Sequence, residues 1–128
     1  MSTWEWEELK IKGGPSARSG HRMVSHKRAL WVFGGYYDAG DAMPKYYCDL
    51  WTFDPEELRW STVGDMKAKW PKARSGYQWV AHESTLVLHG GYAKVVDEDD
   101  ADMEHGVTMD DTWRVAPPPP SFPCCCLL

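Results

Sequence analysis

The sequence has little cysteine and no excess of positive charge. Cys48 is the only cysteine before the C-terminal tail and sits beside a predicted strand, so we expect a free thiol there rather than a disulfide framework. The formal net charge is −5. Because a nucleic-acid-binding surface needs a basic stripe, this charge argues against a nucleic-acid partner.

Long apolar runs and catalytic motifs are also missing. The chain has no apolar run of about eighteen residues and no secretory signal, from which we expect a soluble, cytoplasmic protein. It contains neither a Gly-x-Ser-x-Gly nucleophile elbow nor a glycine-rich phosphate loop. We therefore expect no enzymatic activity and no cofactor.

A duplicated stretch dominates what is present. Residues 15–36 recur as residues 71–92, displaced by 56 positions without a gap, and 11 of the 22 aligned positions are identical. The identical positions include Val24 with Val80 and His26 with His82. Agreement of this extent is not expected by chance, so the sequence predicts two copies of one structural unit.

The spacing inside each copy favours β-strands. An Arg-Ser-Gly turn opens a short run, and after a polar pause a second apolar run ends at a pair of glycines. Neither run reaches the roughly ten residues that a helix needs. A third, aromatic run follows at 49–54 and at 111–115, and a fourth at 60–63. Four short strands at a period of about fifty residues are typical of a propeller blade.

The motifs of the first copy resemble a kelch repeat. They read Arg-Ser-Gly-His, then Leu-Trp-Val-Phe-Gly-Gly-Tyr, then Asp-Leu-Trp-Thr-Phe-Asp, and then Trp60. The resemblance covers residues 4–115 and appears twice in register. It implies an antiparallel four-stranded blade whose first strand lines a central channel and whose fourth lies outermost. It also implies the usual work of that family, which is binding other proteins.

We therefore predict an all-β fold, a partial kelch β-propeller with about two four-stranded antiparallel blades plus one outer strand of a preceding blade. Trp6 is the expected anchor of that outer strand. The second blade is incomplete, because after residue 115 a run of four prolines cannot donate to a ladder. The predicted segments are an outer strand and turn (1–14), a kelch blade (15–64), a linker (65–70), a second blade (71–115) with an acidic insert (93–111), and a Pro/Cys-rich tail (116–128).

A two-blade chain leaves two apolar faces uncovered, because each blade buries its faces against its neighbours. A closed propeller usually has at least about four blades. We expect the chain to be a piece of a larger propeller, either as a truncated gene product or as an incomplete gene model. The alternative is closure by self-association.

The resemblance also implies partner-binding positions. In related propellers the residue before the glycine of Arg-x-Gly and the residue after the glycine pair face the ligand. Carried onto this sequence, these positions are Ser19 and Ser75 and the phenols Tyr36 and Tyr92. The remaining motif residues are expected to be structural: Arg18, Gly20, Gly34, Gly35, Trp60, Arg74, Gly76, Gly90 and Gly91. The two arginines could instead be hooks for a carboxylate peptide.

Histidines and acidic residues raise two metal hypotheses. His21, His26, His82 and His89 recur on strands of separate blades without an attendant cysteine pair, so we expect no zinc site. Residues 97–111 hold eight acidic residues and no lysine or arginine. Their spacing does not reproduce a calcium loop, so we expect a solvated loop there, with docking of a basic partner as the alternative.

The C-terminus resembles a lipidation signal. Residues 125–128 fit a prenylation box on Cys125 with leucine last, and Cys124 is a candidate palmitoyl site. Cys126 is not aliphatic and no basic cluster precedes the box, and the tail stands where blade sequence is expected. Intron read-through or a change of frame is the competing explanation. Membrane contact is expected only if this box is prenylated.

Taken together, the sequence predicts a non-enzymatic protein–protein interaction module of the kelch type whose protein partner is unknown. One alternative is a fragment of a kelch-fold enzyme similar to galactose oxidase. Its copper site requires tyrosines and histidines from several blades and a crosslinked cysteine, a set that this sequence does not show. A second alternative is a substrate adaptor of a ubiquitin ligase, a role that an additional domain usually confers.

Overall fold

The computed structural model describes residues 3–64 and 68–117, and every regular element in these residues is a β-strand. No helix long and apolar enough to cross a membrane occurs in this part of the chain. The nine strands are β1 (Arg22–His26), β2 (Ala29–Phe33), β3 (Tyr36–Tyr37), β4 (Lys45–Tyr46), β5 (Leu50–Asp54), β6 (Arg59–Thr62), β7 (Gln78–His82), β8 (Thr85–Val96) and β9 (Glu104–Val115).

The strands form two blades and one small hairpin. The first blade is a four-stranded sheet in the order β1-β2-β5-β6, and the second is a three-stranded sheet in the order β7-β8-β9. All neighbours are antiparallel, and β3 pairs only with β4. This arrangement confirms the predicted all-β fold and the partial propeller.

The core lies between the two blades. In β2 the side chains of Trp31 and Phe33 share one face, since alternate residues of a strand point the same way. That face packs against the second blade, where the indole of Trp79 donates a hydrogen bond to the carbonyl of Trp31 at 3.3 Å. The buried cluster consists of Trp31, Phe33, Leu50, Tyr77, Trp79, Leu86 and Leu88.

Backbone hydrogen bonds also join the blades, and they explain the first glycine pair. The amide of Gly35 donates to the carbonyl of Arg74 at 2.8 Å, and the amide of Arg74 donates to the carbonyl of Tyr47 at 3.2 Å. Gly34 has a φ of +61°, and a Cβ there would lie 2.7 Å from the Arg74 carbonyl oxygen. Only glycine combines that backbone conformation with so close an approach.

The acidic insert is mostly strand, so its interpretation as a solvated loop was wrong. β8 continues through the second glycine pair with a register shift between His89 and Gly91, and β9 begins at Glu104. The extension buries Ala93 and pairs Lys94 with Glu104 at 3.6 Å between charged atoms. Only residues 97–103 remain as a turn. The register shift is a β-bulge that accommodates the glycine pair, and the hydrogen bonds between β8 and β9 resume beyond it.

The two ends of the chain are less regular. Residues 3–14 carry no strand, and Trp4 and Trp6 are each 99% exposed. Assignment of this segment to a preceding blade stays a prediction, since no described strand pairs with it. The predicted lipidation cysteines Cys124 and Cys125 lie outside the described residues, as do linker residues 65–67.

Replacing Gly34 by alanine should destabilise the joint between the blades. We expect a loss of about 3 kcal/mol or more in the free energy of unfolding, because the new Cβ collides with backbone of the other blade. Gly76 is the matched control, since its φ is +65° but nothing lies within 4 Å of a Cβ there. Gly76→Ala should cost about 1 kcal/mol, the strain alone. Equal losses in chemical denaturation would contradict the close-approach explanation.

Candidate functional site

Each repeat holds its predicted serine and tyrosine in the same backbone arrangement. Ser19 and Tyr36 exchange two backbone hydrogen bonds of 2.8 and 2.9 Å, and Ser75 and Tyr92 exchange two of 2.8 Å. These isolated bridges join the turn before the first strand of each blade to the residue after the glycine pair. The duplicated sequence thus produces a duplicated site.

The two copies lie side by side. The amide of Gly76 donates to the carbonyl of Gly20 at 2.9 Å. Tyr36 stacks on Tyr46 with ring centroids 5.5 Å apart, and Tyr46 meets the ring of Tyr92 edge-on at 6.4 Å. We call Tyr36, Tyr46 and Tyr92 the tyrosine cluster. It draws Tyr36 and Tyr46 from the β3–β4 hairpin and Tyr92 from the second blade.

Tyr46 was missed by sequence analysis. It lies between the second and third apolar runs of the first repeat, where no strand was predicted, and it reaches the cluster because β4 pairs with β3 and places Tyr46 opposite Tyr36. The only signal available was the aromatic pair Tyr46–Tyr47 inside an otherwise irregular segment. Such a pair does not identify its strand partner, which depends on the register of the hairpin.

The cluster presents phenol groups to solvent. Tyr92 is 38% exposed, while Tyr36 and Tyr46 are half-buried. Burial raises the pKa of the Tyr46 phenol above its usual value, so this group stays protonated at neutral pH. A protonated phenol both donates and accepts hydrogen bonds and offers an apolar ring face. The cluster can therefore hold peptide backbone and apolar side chains.

The two serines have different environments. Ser19 is exposed, and its hydroxyl is available beside Tyr36. Ser75 is only 6% exposed, and its hydroxyl donates to the carbonyl of Tyr92 at 3.3 Å. Contrary to the sequence expectation, Ser75 does not present its hydroxyl to a partner in this structure. Its position beneath the turn at Gly20 makes it a support for Tyr92.

Each signature arginine is held by an aspartate of its own blade. Arg18 donates to both carboxylate oxygens of Asp49 at 2.6 and 3.0 Å, and Arg74 donates to both oxygens of Asp111 at 2.5 and 2.8 Å. Each guanidinium also donates to the carbonyl of the first glycine of its pair, at 3.0 and 2.9 Å. The side chains of Arg18 and Arg74 are 4% and 0% exposed.

Both terminal nitrogens of each guanidinium are bonded to an aspartate and both side chains are almost fully buried, so neither arginine is placed to receive a carboxylate ligand from solvent. Indole groups complete the arginine–aspartate pairs, since Trp51 donates to Asp49 and Trp113 donates to Asp111, each at 2.7 Å. Although burial alone would raise the pKa of Asp49, the bonds from Arg18 and Trp51 lower it overall. The bonds from Arg74 hold the pKa of Asp111 far below its usual range. Each arginine therefore holds its own blade together, and we call the pairs Arg18–Asp49 and Arg74–Asp111 the staples.

The histidines, the Cys48 thiol and the acidic side chains of the described residues do not come together to form a metal site. Within residues 3–64 and 68–117, no three His, Cys, Asp or Glu side chains lie close enough together to hold a metal ion. His26 is buried beneath Trp31, and His89 lies 2.8 Å from the hydroxyl of Thr112. Burial raises the pKa of the Cys48 thiol, so Cys48 is a poor nucleophile at neutral pH.

A second concavity lies between the blades and shares no residue with the tyrosine cluster. It encloses about 130 Å³ and is mostly apolar, with Trp70, Trp79 and Trp113 among its walls. The indole of Trp70 donates to the carbonyl of Cys48 at 2.6 Å and closes one side.

Comparison with known proteins gives one family match and several partial relatives. Residues 1–125 match the family described as KLHDC2/KLHL20/DRC7 Kelch-repeats domain. A probable serine/threonine-protein kinase of Dictyostelium discoideum is 33% identical over 93 residues, covering 70% of this chain and 7% of that protein. Human kelch domain-containing protein 2 is 27% identical over 93 residues, covering 72% of this chain and 22% of that protein.

A solved structure of YjhT resembles the fold. Its TM-score is 0.50 at 22% sequence identity, and the alignment covers 64% of this chain and 22% of that chain. The chain spans less than a quarter of the length of each of these relatives. The likeness to YjhT shows the fold alone.

The staples should make folding stability acid-sensitive. The folded pKa values of Asp49 and Asp111 are lowered, so their contribution is present above the unfolded pKa of about 3.9 and is lost as pH falls through the folded values. Between about pH 5 and pH 2 we expect a loss on the order of 2 kcal/mol, discounted for solvent screening at the partly exposed Asp111.

The check is chemical denaturation at a series of pH values. The variant carrying Asp49→Asn and Asp111→Asn should be less stable at pH 7, because two buried guanidinium groups lose their counter-charge. Its stability should depend less on pH below 5 than that of the unaltered chain. Parallel pH profiles for the two proteins would show that the carboxylates are not the source of acid sensitivity.

Proposed function

Because the chain belongs to the kelch-repeat family, we propose that it is a non-enzymatic protein-interaction module whose contact surface is centred on the tyrosine cluster. Ser19 lies beside the cluster as an exposed hydroxyl. A kelch-repeat domain suggests protein interaction, and a stretch of partner polypeptide is the ligand for which this surface is suited.

The observation that carries the proposal is the convergence of Tyr36, Tyr46 and Tyr92 from three different β-elements. Tyrosine supplies a large contact area with few rotatable bonds, and it is enriched where proteins bind one another. Here the rings are further restrained by stacking and edge contacts. Little side-chain entropy is lost when a partner docks on groups that are already ordered.

Finer features of the function are part of the same proposal. They are a cytoplasmic location, membership of a larger propeller, and the closeness of the motif wording to kelch domain-containing protein 4. The last two are supported by the motifs of the sequence. A ubiquitin-ligase adaptor role depends on a further domain, and no observation in the described residues favours galactose-oxidase-like chemistry over binding.

Alanine at Tyr36 or Tyr92 should weaken partner binding without unfolding the protein. Peptides selected from a random display library on the immobilised chain provide the probe, and calorimetry measures their affinity. We expect a loss of about tenfold or more for each variant, as for central aromatic anchors of interfaces. Tyr46→Ala should have a similar effect.

Tyr37→Ala is the matched control. Tyr37 is the neighbour of Tyr36 in β3, is 48% exposed, and points to the opposite face of the strand. Its replacement should leave peptide affinity unchanged. If the cluster variants keep full affinity, or if Tyr37→Ala costs as much as they do, the binding surface lies elsewhere.

A further inference from the structure

The outer edge of the second blade has no partner among the described residues. In the first blade, β6 covers the outer edge of β5. The strand of the second blade that corresponds to β5 is β9. In residues 3–64 and 68–117, β9 pairs only with β8. We call residues 111–115 of β9 the acceptor edge. Exposed strand edges of this kind are templates for pairing with another strand.

The N-terminal segment has the pattern of the strand that the acceptor edge lacks. Trp6 and Leu9 repeat the spacing of Trp60 and Val63, which belong to the covering strand of the first blade and its end. Trp6 is 99% exposed and Leu9 is 46% exposed. We call residues 6–9 the donor segment. It belongs to no strand in the structure, and the side chain of Trp6 lies almost wholly in water.

The register of the first blade can be transferred to the second. Phe53 pairs with Leu30 and Val115 pairs with Leu86, which makes Val115 the equivalent of Phe53. Trp60 stands opposite Phe53, with ring centroids 4.9 Å apart. A donor strand in the same register places a tryptophan over Val115.

Charge agrees with this register. When Trp6 stands opposite Val115, Glu7 stands opposite Arg114, which is exposed on β9. Opposite charges directly across an antiparallel pair stabilise it. A shift by one residue would also place a glutamate, Glu8, opposite Arg114, but it would turn Trp6 away from the face that carries Val115. The position of Trp6 therefore selects the register, and the pairing of Glu7 with Arg114 agrees with it.

The donor segment joins the first blade on the face that points away from the second blade, whereas the acceptor edge of the same chain belongs to the second blade. Pro15 lies with Met23, Val32 and Trp60 around a concavity on the face of the first blade that points away from the second blade. The acceptor edge belongs to the second blade, which packs on the opposite face, that of Trp31. A neighbouring chain placed beside the first blade is within direct reach.

The outward faces of the two blades carry the repeat equivalents of residues that already pack between the blades. Trp79 belongs to the core cluster, against which Val24 packs. Their repeat equivalents are Met23 and Val80, which are 49% and 54% exposed on the two outward faces. A second copy seated beside the first would bring Met23 of one chain against Val80 of the other.

From these observations we propose that the donor segment of one copy forms the fourth strand of the second blade of another copy, so that identical chains close head to tail into a ring. One donated strand brings the second blade from three strands to the four found in the first. Repetition of the same contact leaves no acceptor edge uncovered. Since propellers have about four to eight blades, rings of two to four chains are expected.

Light scattering coupled to size exclusion tests the assembly on the unaltered chain. The expected mass is two, three or four times 14.6 kDa. Trp6→Ala should weaken assembly by about a hundredfold or more, as expected for loss of a buried tryptophan. Trp4→Ala is the matched control, since Trp4 is equally exposed but corresponds to Leu58 in the turn before β6. A folded monomer at every concentration would overturn the proposal.

A charge exchange identifies the strands that meet. Glu7→Arg should weaken assembly by about tenfold at low salt, because two arginines then face each other. Adding Arg114→Glu to the same chain should restore assembly, since the pair is then reversed but intact. If Glu7→Arg and Trp6→Ala leave assembly unchanged, or if Arg114→Glu does not restore the assembly lost in Glu7→Arg, the proposed pairing is wrong. Another segment then covers β9, or the chains associate by another surface. These outcomes leave peptide binding at the tyrosine cluster as a separate question.

Discussion

The buried guanidinium of Arg74 is the group on which both blades depend. Its side chain is 0% exposed and closes the second blade through Asp111 and the carbonyl of Gly90. Its backbone joins the first blade through the amide of Gly35 and the carbonyl of Tyr47. A buried cation without a partner is strongly destabilising, so the aspartate must be present wherever the arginine is. One residue thereby fixes a blade and its junction.

The same chemistry links the staples to the tyrosine cluster. The guanidinium of Arg18 lies 4.0 Å from the centre of the Tyr47 ring, and the carbonyl of Tyr47 accepts the hydrogen bond from Arg74. Tyr47 is thus held by the arginines of both repeats. Since Tyr46 precedes it on β4, the position of the central ring of the cluster follows from the two staples. The proposed binding surface is therefore attached to buried, hydrogen-bonded groups of both blades.

Features formed by residues that are close in the sequence could be predicted from it, whereas features that depend on contacts between distant segments could not. Turns, glycine pairs and apolar runs are local, so the strands of the first blade and the duplication of the serine and tyrosine positions could be predicted, but not the bridges that join them. The Arg–Asp pairs span 31 and 37 residues, and although both copies contain an Asp-x-Trp motif, its role depends on which strands pair. The burial of Ser75 depends on the contact between the two repeats, and the position of Tyr46 depends on the register of the β3–β4 hairpin. The extension of β8 was hidden because eight acidic residues resemble a solvated loop more than a strand.

Departures from the repeat also explain where the packing is loosest. Gly14 makes room for the ring of Trp60, whereas Trp70 occupies the equivalent position of the second repeat. Trp70 turns inward against the core cluster and hydrogen-bonds to the first blade. Trp113 also borders the cavity of about 130 Å³, and its equivalent in the first blade, Trp51, meets the ring of Trp60 edge-on. Among residues 3–64 and 68–117, the cavity and the uncovered edge of β9 thus have one cause, which is that no fourth strand in these residues brings a tryptophan over Val115.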